Sequence, residues 1–189
     1  MKKITAVAAF CAIVSGMIPL AGARDVGGKL GIGYDQSLGG VSGLSVKYWI
    51  DNLGIWTTFG FDYFNPDGDG DSLVEIEAAL GVIYNFVRPE EANLGIGLRG
   101  DLGFLNKAAN NNTERTFHFN IEVPIVAEYF FSDHFAVHAS TGFIFVLVPS
   151  SGAALTPQKS GILQSQAKGF GFGIGHGNLF ANAGFTFYF

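Results

Sequence analysis

The sequence has little charge and almost no cysteine, and each shortage excludes a class of protein. Only 14% of its 189 residues are charged, with 11 Lys and Arg against 16 Asp and Glu. An acidic balance without basic patches argues against a nucleic-acid partner. The single cysteine, Cys11, lies in an apolar segment at the N-terminus. The rest of the chain therefore has no thiol for a disulfide or a thiolate metal site.

Long hydrophobic runs are missing after residue 23, although 48% of the chain is hydrophobic. No stretch of 18 apolar residues follows that position, so a membrane-spanning helix is not predicted. Glycine and phenylalanine are abundant, at 27 and 19 residues. High apolarity without a spanning helix indicates strands in which every second residue faces an apolar environment.

The N-terminus has the pattern of an export signal. Two lysines precede an uncharged apolar segment at residues 4–20, and Ala21-Gly22-Ala23 supplies the small residues of a cleavage site. The pattern predicts a signal peptide at 1–23 and one domain at 24–189. A membrane helix is disfavoured because the apolar segment is short and no basic cluster follows it. Cleavage leaves 9 basic and 16 acidic residues, and a net charge of −7.

Polar and apolar residues alternate with a period of two along most of the domain. Residues 74–86 place Glu75 and Glu77 on one face and an apolar set on the other, as a strand does and a helix does not. Alternation predicts an all-β fold, a transmembrane antiparallel up-and-down β-barrel of about eight strands. The predicted strands are 30–34, 44–50, 55–63, 74–86, 94–104, 117–129, 135–147 and 179–189.

The charged residues of these strands support the barrel. Eight lie within the strands and Lys29 directly precedes the first, and all nine fall on the face opposite the apolar set: Lys29, Lys47, Asp62, Glu75, Glu77, Arg99, Asp101, Glu122 and Glu128. A charge on the lipid face of a barrel costs about 2–4 kcal/mol at mid-bilayer, which explains so strict a division. A β-sandwich would also place polar and apolar residues on opposite faces. Its polar face would be exposed to water and rich in charged residues, whereas the polar face of these strands carries glycine and tryptophan. Because buried charges must be paired, we expect Arg99 to be ringed by glutamates such as Glu77 and Glu122.

Short and long connections alternate between the predicted strands, as they do in outer-membrane barrels. The short ones are 51–53, 87–92 and 131–134, and the long ones 35–43, 65–72, 106–115 and 149–168. Two places resist this regular pattern. Pro124 lies within a strand and predicts a bulge, since proline cannot donate to the ladder. The apolar parity also reverses between Ile174 and Leu179, which predicts an irregular last strand or a separate hairpin.

The last eight residues carry a family resemblance. The segment Asn182-Ala-Gly-Phe-Thr-Phe-Tyr-Phe189 resembles the C-terminal targeting signal of bacterial outer-membrane barrels. With the signal peptide and eight strands, the whole domain resembles the small outer-membrane β-barrel families related to the transmembrane domain of outer-membrane protein A. The resemblance implies location in a Gram-negative outer membrane, contact with its lipid and lipopolysaccharide, and insertion by the outer-membrane assembly machinery. It also implies a monomer. The sequence departs from the family in one respect: it stops at the barrel, so we do not expect the periplasmic peptidoglycan-binding domain of full-length members or tethering to the wall.

Three motifs suggest chemistry. Gly95-Ile-Gly-Leu-Arg-Gly100 matches a dinucleotide fingerprint, but no helical segment follows it, so we interpret its glycines as space-savers. His138-Ala-Ser140 resembles the His-x-Ser of outer-membrane lipid A deacylases, with Glu128 as the only nearby candidate for the orienting acid. Polar lumen residues are the simpler interpretation of this pair. The loop at 65–71 repeats Asp-Gly without the ligand spacing of an EF-hand, which leaves weak cation binding at most.

We therefore predict no catalytic, cofactor-binding or metal-ligating residue, and no cofactor. The predicted function is a non-enzymatic barrel that supports envelope integrity or binds partners through its external loops. The alternatives are a narrow cation-preferring channel and a lipid A-modifying enzyme. Bulky residues on the inward face predict a filled lumen beneath an acidic vestibule. They are Trp49, Trp56, Ile83, Val126, Phe130, Ile144, Val146, Phe180 and Tyr188.

Overall fold

The fold is known from a computed structural model, which describes residues 26–65, 72–109, 112–148, 169–174 and 182–189. The predicted signal peptide at 1–23 lies outside these ranges. Among the described residues there is no helix long and apolar enough to cross a membrane.

Nine strand segments account for most of the described chain. They are β1 Leu30–Gln36, β2 Ser42–Ile50, β3 Leu53–Phe64, β4 Leu73–Val87, β5 Ala92–Ala109, β6 Asn112–Phe130, β7 Phe135–Val148, β8 Gly169–Ile174 and β9 Ala183–Tyr188. Each of β1 to β7 pairs antiparallel with the next along the chain. This is the up-and-down order that the alternation predicted.

The sheet closes on itself through its last segment. β9 pairs with β7 on one edge, where Ala183 faces Ala139, and with β1 on the other, where Phe185 faces Tyr34. The ring therefore runs through β1 to β7 and returns to β1 by way of β9. The predicted fold, a closed antiparallel barrel of eight strands, is confirmed.

β8 and β9 are two parts of the eighth strand. Both pair antiparallel with β7, β8 with its second half and β9 with its first half. Ile174 faces Phe143 and Ala183 faces Ala139, so four steps along β7 correspond to nine steps on its partner. The five extra residues are an odd number and reverse the parity of the strand. The predicted irregularity is confirmed, and the separate hairpin is excluded.

The two faces of the barrel divide as the alternation predicted. Alternate apolar side chains point outward and are exposed, Leu80 by 64% and Phe145 by 48%. The bulky residues predicted to point inward are buried, apart from Phe180, which lies outside the described residues. Among the charged residues, six of the nine are buried. Lys29 and Glu75 are half-buried, and Asp62 is exposed.

The two ends of the barrel differ. The turns at 51–52, 88–91 and 131–134 lie at one end with both described chain termini, which we call the terminal end; the opposite end is the loop end. Two predicted loops are shorter than expected. β5 and β6 continue their pairing to Ala109 and Asn112, so most of the predicted loop at 106–115 is strand. The predicted loop at 35–43 shrinks to residues 37–41, because β1 extends to Gln36 and β2 begins at Ser42.

The bulge predicted at Pro124 is wrong. β5 and β6 pair at Ile96 with Ile125 and at Arg99 with Glu122, and the register is the same on both sides of the proline. The ladder is interrupted between these pairs, where Pro124 offers no N–H. Gly97 makes the interruption possible, because a Cβ there would lie 3.2 Å from the Pro124 ring. A missing side chain on the neighbouring strand, and not an extra residue, accommodates the proline.

Candidate functional site

The lumen contains a network of buried charges, and Arg99 on β5 is at its centre. Its guanidinium is 2.8 Å from Asp35 Oδ2 and 2.8 Å from Glu122 Oε2, and its Nε donates a further bond of 2.9 Å to Glu122 Oε2. Asp101 lies 3.9 Å away. All four side chains are almost completely inaccessible to solvent. Because they come from β1, β5 and β6, the arginine ties three strands together across the barrel.

A second cation, Lys47 on β2, extends this network toward the terminal end. Its ammonium is 3.1 Å from Glu128 Oε1 and 3.3 Å from His138 Nδ1. An ammonium can only donate, so Nδ1 of His138 accepts, and its Nε2 carries the proton that reaches Asp35 Oδ1 at 2.8 Å. Asp35 therefore joins the arginine and the lysine groups into one connected network.

Trp56 on β3 packs against both cations. The Arg99 guanidinium lies 4.1 Å and the Lys47 ammonium 4.8 Å from its ring, and the His138 ring meets it edge-on at 5.6 Å. The indole N–H donates to Ser45 Oγ at 3.1 Å, so the ring has no unsatisfied polar group. Cation–π attraction of this kind is stronger for desolvated pairs than for exposed ones.

The loop at 37–41 folds into the lumen at the loop end. Leu38 and Val41 are fully buried, and Leu38 packs against Ile144 and Val146 of β7. Its polar groups bind the opposite wall: Ser37 Oγ donates to Asp101 Oδ2 at 2.9 Å, and the Gly39 N–H donates to Glu122. β5 and β6 lie across the ring from β1 and β2, so this loop, which we call the plug loop, spans the lumen. Asp101 is buried beneath this loop, whereas Asp62 is exposed and Glu75 half-buried at the same end, so an acidic vestibule above the plug loop stays a prediction.

Apolar residues fill the lumen at the terminal end. Val26, ahead of β1, is buried in a cluster with Trp49, Phe130, Tyr188 and other inward side chains. The Trp49 indole donates to the Tyr188 hydroxyl at 3.2 Å, which itself donates to Glu128 Oε1 at 2.8 Å. Buried side chains therefore lie against each other from Val26 to the plug loop, with the charged network between them.

Sequence reasoning found part of this network. Glu122 contacts Arg99 as expected, but Glu77 does not; its carboxylate accepts from the backbone N–H of Ser42 at 3.3 Å instead. Asp35, which contacts both Arg99 and His138 at 2.8 Å, lies within the segment 35–43 that the sequence predicts as a loop. It shares the inward parity of Gly31 and Gly33, so extending the alternation by one step would have placed it in the lumen.

His138 and Ser140 do not form a nucleophile and base pair. Both ring nitrogens of His138 are engaged, Nδ1 by Lys47 and Nε2 by Asp35. The Ser140 hydroxyl has no hydrogen-bond partner among the described residues. The acid next to the histidine is Asp35, not the predicted Glu128, although Glu128 faces His138 in the β6–β7 register. A serine nucleophile needs a histidine nitrogen within hydrogen-bond reach, and this arrangement does not supply one.

The other two motifs lie in strand and loop. Gly95 and Gly97 are inside β5, where a Cβ at Gly95 would lie 2.6 Å from Asn85 Oδ1. Asp62 faces Glu75 at the loop end, but the aspartates at 67, 69 and 71 lie outside the described residues. Within the described part of the chain, no group of three or more histidine or acidic side chains has a geometry that could hold a metal ion. Weak cation binding at this loop stays a prediction.

Comparison with known proteins gives similarity to two solved structures. Neisserial surface protein A is 14% identical with a TM-score of 0.48, over 85% of this chain and 94% of its own. The N-terminal β-barrel domain of Pseudomonas aeruginosa OprF is 12% identical with a TM-score of 0.45, over 85% of this chain and 96% of its own. No family model and no curated protein matches the chain. The class of this protein, an eight-stranded antiparallel barrel, rests on its own strand pairing.

Proposed function

We propose that the chain is an integral barrel of a Gram-negative outer membrane with a closed lumen, which acts without catalysis through its outer surface and loops. The main support for this proposal is the contrast between the outward face and the lumen face of the barrel wall. Apolar side chains are exposed on every strand, while six of the nine charged side chains are buried in the lumen. Soluble monomers rarely expose an apolar patch of more than a few hundred Å². A bilayer is the environment in which such an outer face is stable.

The filled lumen supports a structural or adhesive role over transport. Eight strands enclose a space just wide enough for side chains. Here the plug loop, the charged network around Arg99 and the apolar cluster around Trp49 succeed one another along the axis. We propose that the remaining loops at the loop end face the outside and supply any partner contacts.

Location and partners follow from the same proposal. The signal peptide at 1–23 would direct export, the assembly machinery would insert the barrel, and lipid and lipopolysaccharide would surround it as a monomer. Fractionation of cells tests this. The protein should remain with the outer membrane after extraction with alkaline carbonate and should begin at Arg24. Recovery in the soluble fraction would contradict the proposal.

A narrow cation channel is the second candidate, because carboxylates outnumber cations in the lumen. Asp35, Asp101, Glu122 and Glu128 are buried against Lys47 and Arg99. An excess of negative charge would favour cations if water filled the passage. The purified protein in a planar lipid bilayer separates the two functions. A closed barrel gives no stable single-channel steps, whereas reproducible cation-selective conductance would establish the channel.

A further inference from the structure

The outer wall carries a groove at the terminal end. It has a volume of about 950 Å³ and crosses β5, β6, β7, β9 and β1. Apolar side chains form almost all of its surface, including Leu94, Tyr129, Phe135 and Phe185. Its volume is in the range of pockets that enclose small ligands, although its position is on a convex wall.

The groove has a floor of small side chains beside larger apolar ones. Its floor consists of Ala127, Ala139 and Ala183, which are consecutive partners across β6, β7 and β9. The next outward row toward the terminal end contains Tyr129, Val137 and Phe185, and these larger side chains form a wall beside the alanines. Neighbouring strands are about 4.8 Å apart, so three of them make a floor roughly 10–15 Å long. A segment of extended hydrocarbon chain matches this length.

The rim of the groove is acidic where its wall meets the β4–β5 turn. Pro89 of this turn lines the groove, and the next residues, Glu90 and Glu91, are exposed. Glu91 accepts a hydrogen bond of 3.1 Å from the Tyr129 hydroxyl, which places a carboxylate beside the wall. The cation of the turn, Arg88, donates to Asn52.

The turn at 131–134 adds one more acid with a cation beside it, and Asp51 of the turn at 51–52 is also exposed. Asp133 is exposed, and Lys29 reaches its main-chain oxygen at 3.4 Å. The carboxylate that touches the groove wall is therefore the one at Glu91. A positively charged group at the end of a bound hydrocarbon chain would complement it.

We propose that this groove binds one acyl chain of a phospholipid with a primary ammonium headgroup, and that the ammonium lies at Glu91. The inference rests on the proposed membrane location and adds a specific lipid site to it. An added protein strand does not fit, because the backbone of β6, β7 and β9 at the floor is already paired within the barrel. The convex wall of a second copy is also a poor match for a recessed floor of alanines.

Two substitutions and a matched control test the site. Ala139→Phe fills the floor with a ring on the outer face, where no lumen residue is disturbed. Ala78→Phe makes the same change on β4, at an outward position outside the groove, between Phe59 and Leu102. Glu91→Gln removes the headgroup charge and leaves the floor intact.

Native mass spectrometry of the detergent-purified protein gives the readout. The lipids are equimolar phosphatidylethanolamine, phosphatidylcholine and phosphatidylglycerol with the same acyl chains. Wild type and Ala78→Phe should retain one phosphatidylethanolamine in preference to the other two. Ala139→Phe should retain at least about tenfold less, the equivalent of losing the packing of two methylene groups. Glu91→Gln should keep a lipid but lose about threefold of the headgroup preference, as for an exposed ion pair.

The outcomes separate this inference from the proposed function. Equal retention by Ala139→Phe and Ala78→Phe would overturn the site, even if the protein fractionates with the outer membrane. A wild-type dimer that Ala139→Phe dissociates would show that a second copy occupies the groove and would also overturn it. Retention without any headgroup preference in the wild type would refute the assignment of the ammonium to Glu91.

Discussion

The backbone N–H of Gly39 donates a hydrogen bond to the Glu122 carboxylate on the far wall of the barrel. Glu122 also binds Arg99, so one carboxylate holds both the plug loop and the central cation. The loop is therefore part of the lumen network and not a surface feature. Closure of the loop end and stability of the barrel should depend on the same few residues.

Replacing Arg99 by alanine should destabilise the barrel by about 3–5 kcal/mol, because Asp35, Glu122 and Asp101 would remain buried without their cation. Unfolding by urea in lipid vesicles, followed by tryptophan fluorescence, measures the loss. Arg88→Ala is the matched control, since Arg88 is half-buried in a turn and donates to Asn52. Its cost should be about 1 kcal/mol. Similar losses for the two variants would show that the lumen pairing contributes little.

Replacing Gly39 by valine should release the plug loop. A Cβ at this position would overlap Asp101 Oδ2 and lie 2.6 Å from Asn120 Nδ2. We expect the loop to leave the lumen and the free energy of unfolding in urea to fall, because Glu122 loses its bond to the Gly39 N–H and Leu38 loses its packing against Ile144 and Val146. The Val26 cluster still closes the terminal end, so no conductance is expected. Gly100→Val serves as the control, because a Cβ there meets only the Phe119 ring, at 3.6 Å. A Gly39→Val barrel that is as stable as wild type would contradict the role given to the loop.

The sequence predicted the fold because a barrel wall repeats one simple rule. Alternation placed Trp56 and Val126 inside and Phe145 and Leu80 outside, and each lies there. The irregularity after Ile174 could also be predicted from the sequence. An odd number of extra residues moves the outward apolar residues from even to odd positions, and this change is visible in the pattern.

The alternation of polar and apolar residues does not predict the structure of loops or the partners of side chains in the lumen. It gave no reason for residues 37–41 to fold inward, since the burial of Leu38 depends on Ile144 and Val146, more than 100 positions away. Pairing among lumen charges is equally non-local. Parity placed Glu77 and Glu122 on the correct face, but only the tilt and register of the strands bring Glu122, and not Glu77, to Arg99.

Trp56 should contribute more to the free energy of unfolding than the burial of its ring alone would give. Trp56→Phe loses the bond to Ser45 and part of the attraction to Arg99 and Lys47. Trp49→Phe is the matched change at a tryptophan of the same burial, which loses its bond to Tyr188. The Trp56 variant should therefore be less stable than the Trp49 variant by about 1 kcal/mol, the scale of a cation–π pair. Urea unfolding of the two variants side by side measures the difference, and equal stabilities would remove the cation–π contribution.

Ser140 should be dispensable for any change to lipid A. For it to act as a nucleophile, His138 would have to release Asp35 or Lys47 and turn toward the hydroxyl, which would break a buried ion-paired network. The substrate would also have to reach an interior closed by the plug loop at one end and the Val26 cluster at the other. Overexpression of the wild type and of Ser140→Ala should therefore give the same lipid A acyl pattern by mass spectrometry. A wild-type pattern that lacks one acyl chain, restored by Ser140→Ala, would instead establish an esterase and refute the non-enzymatic role.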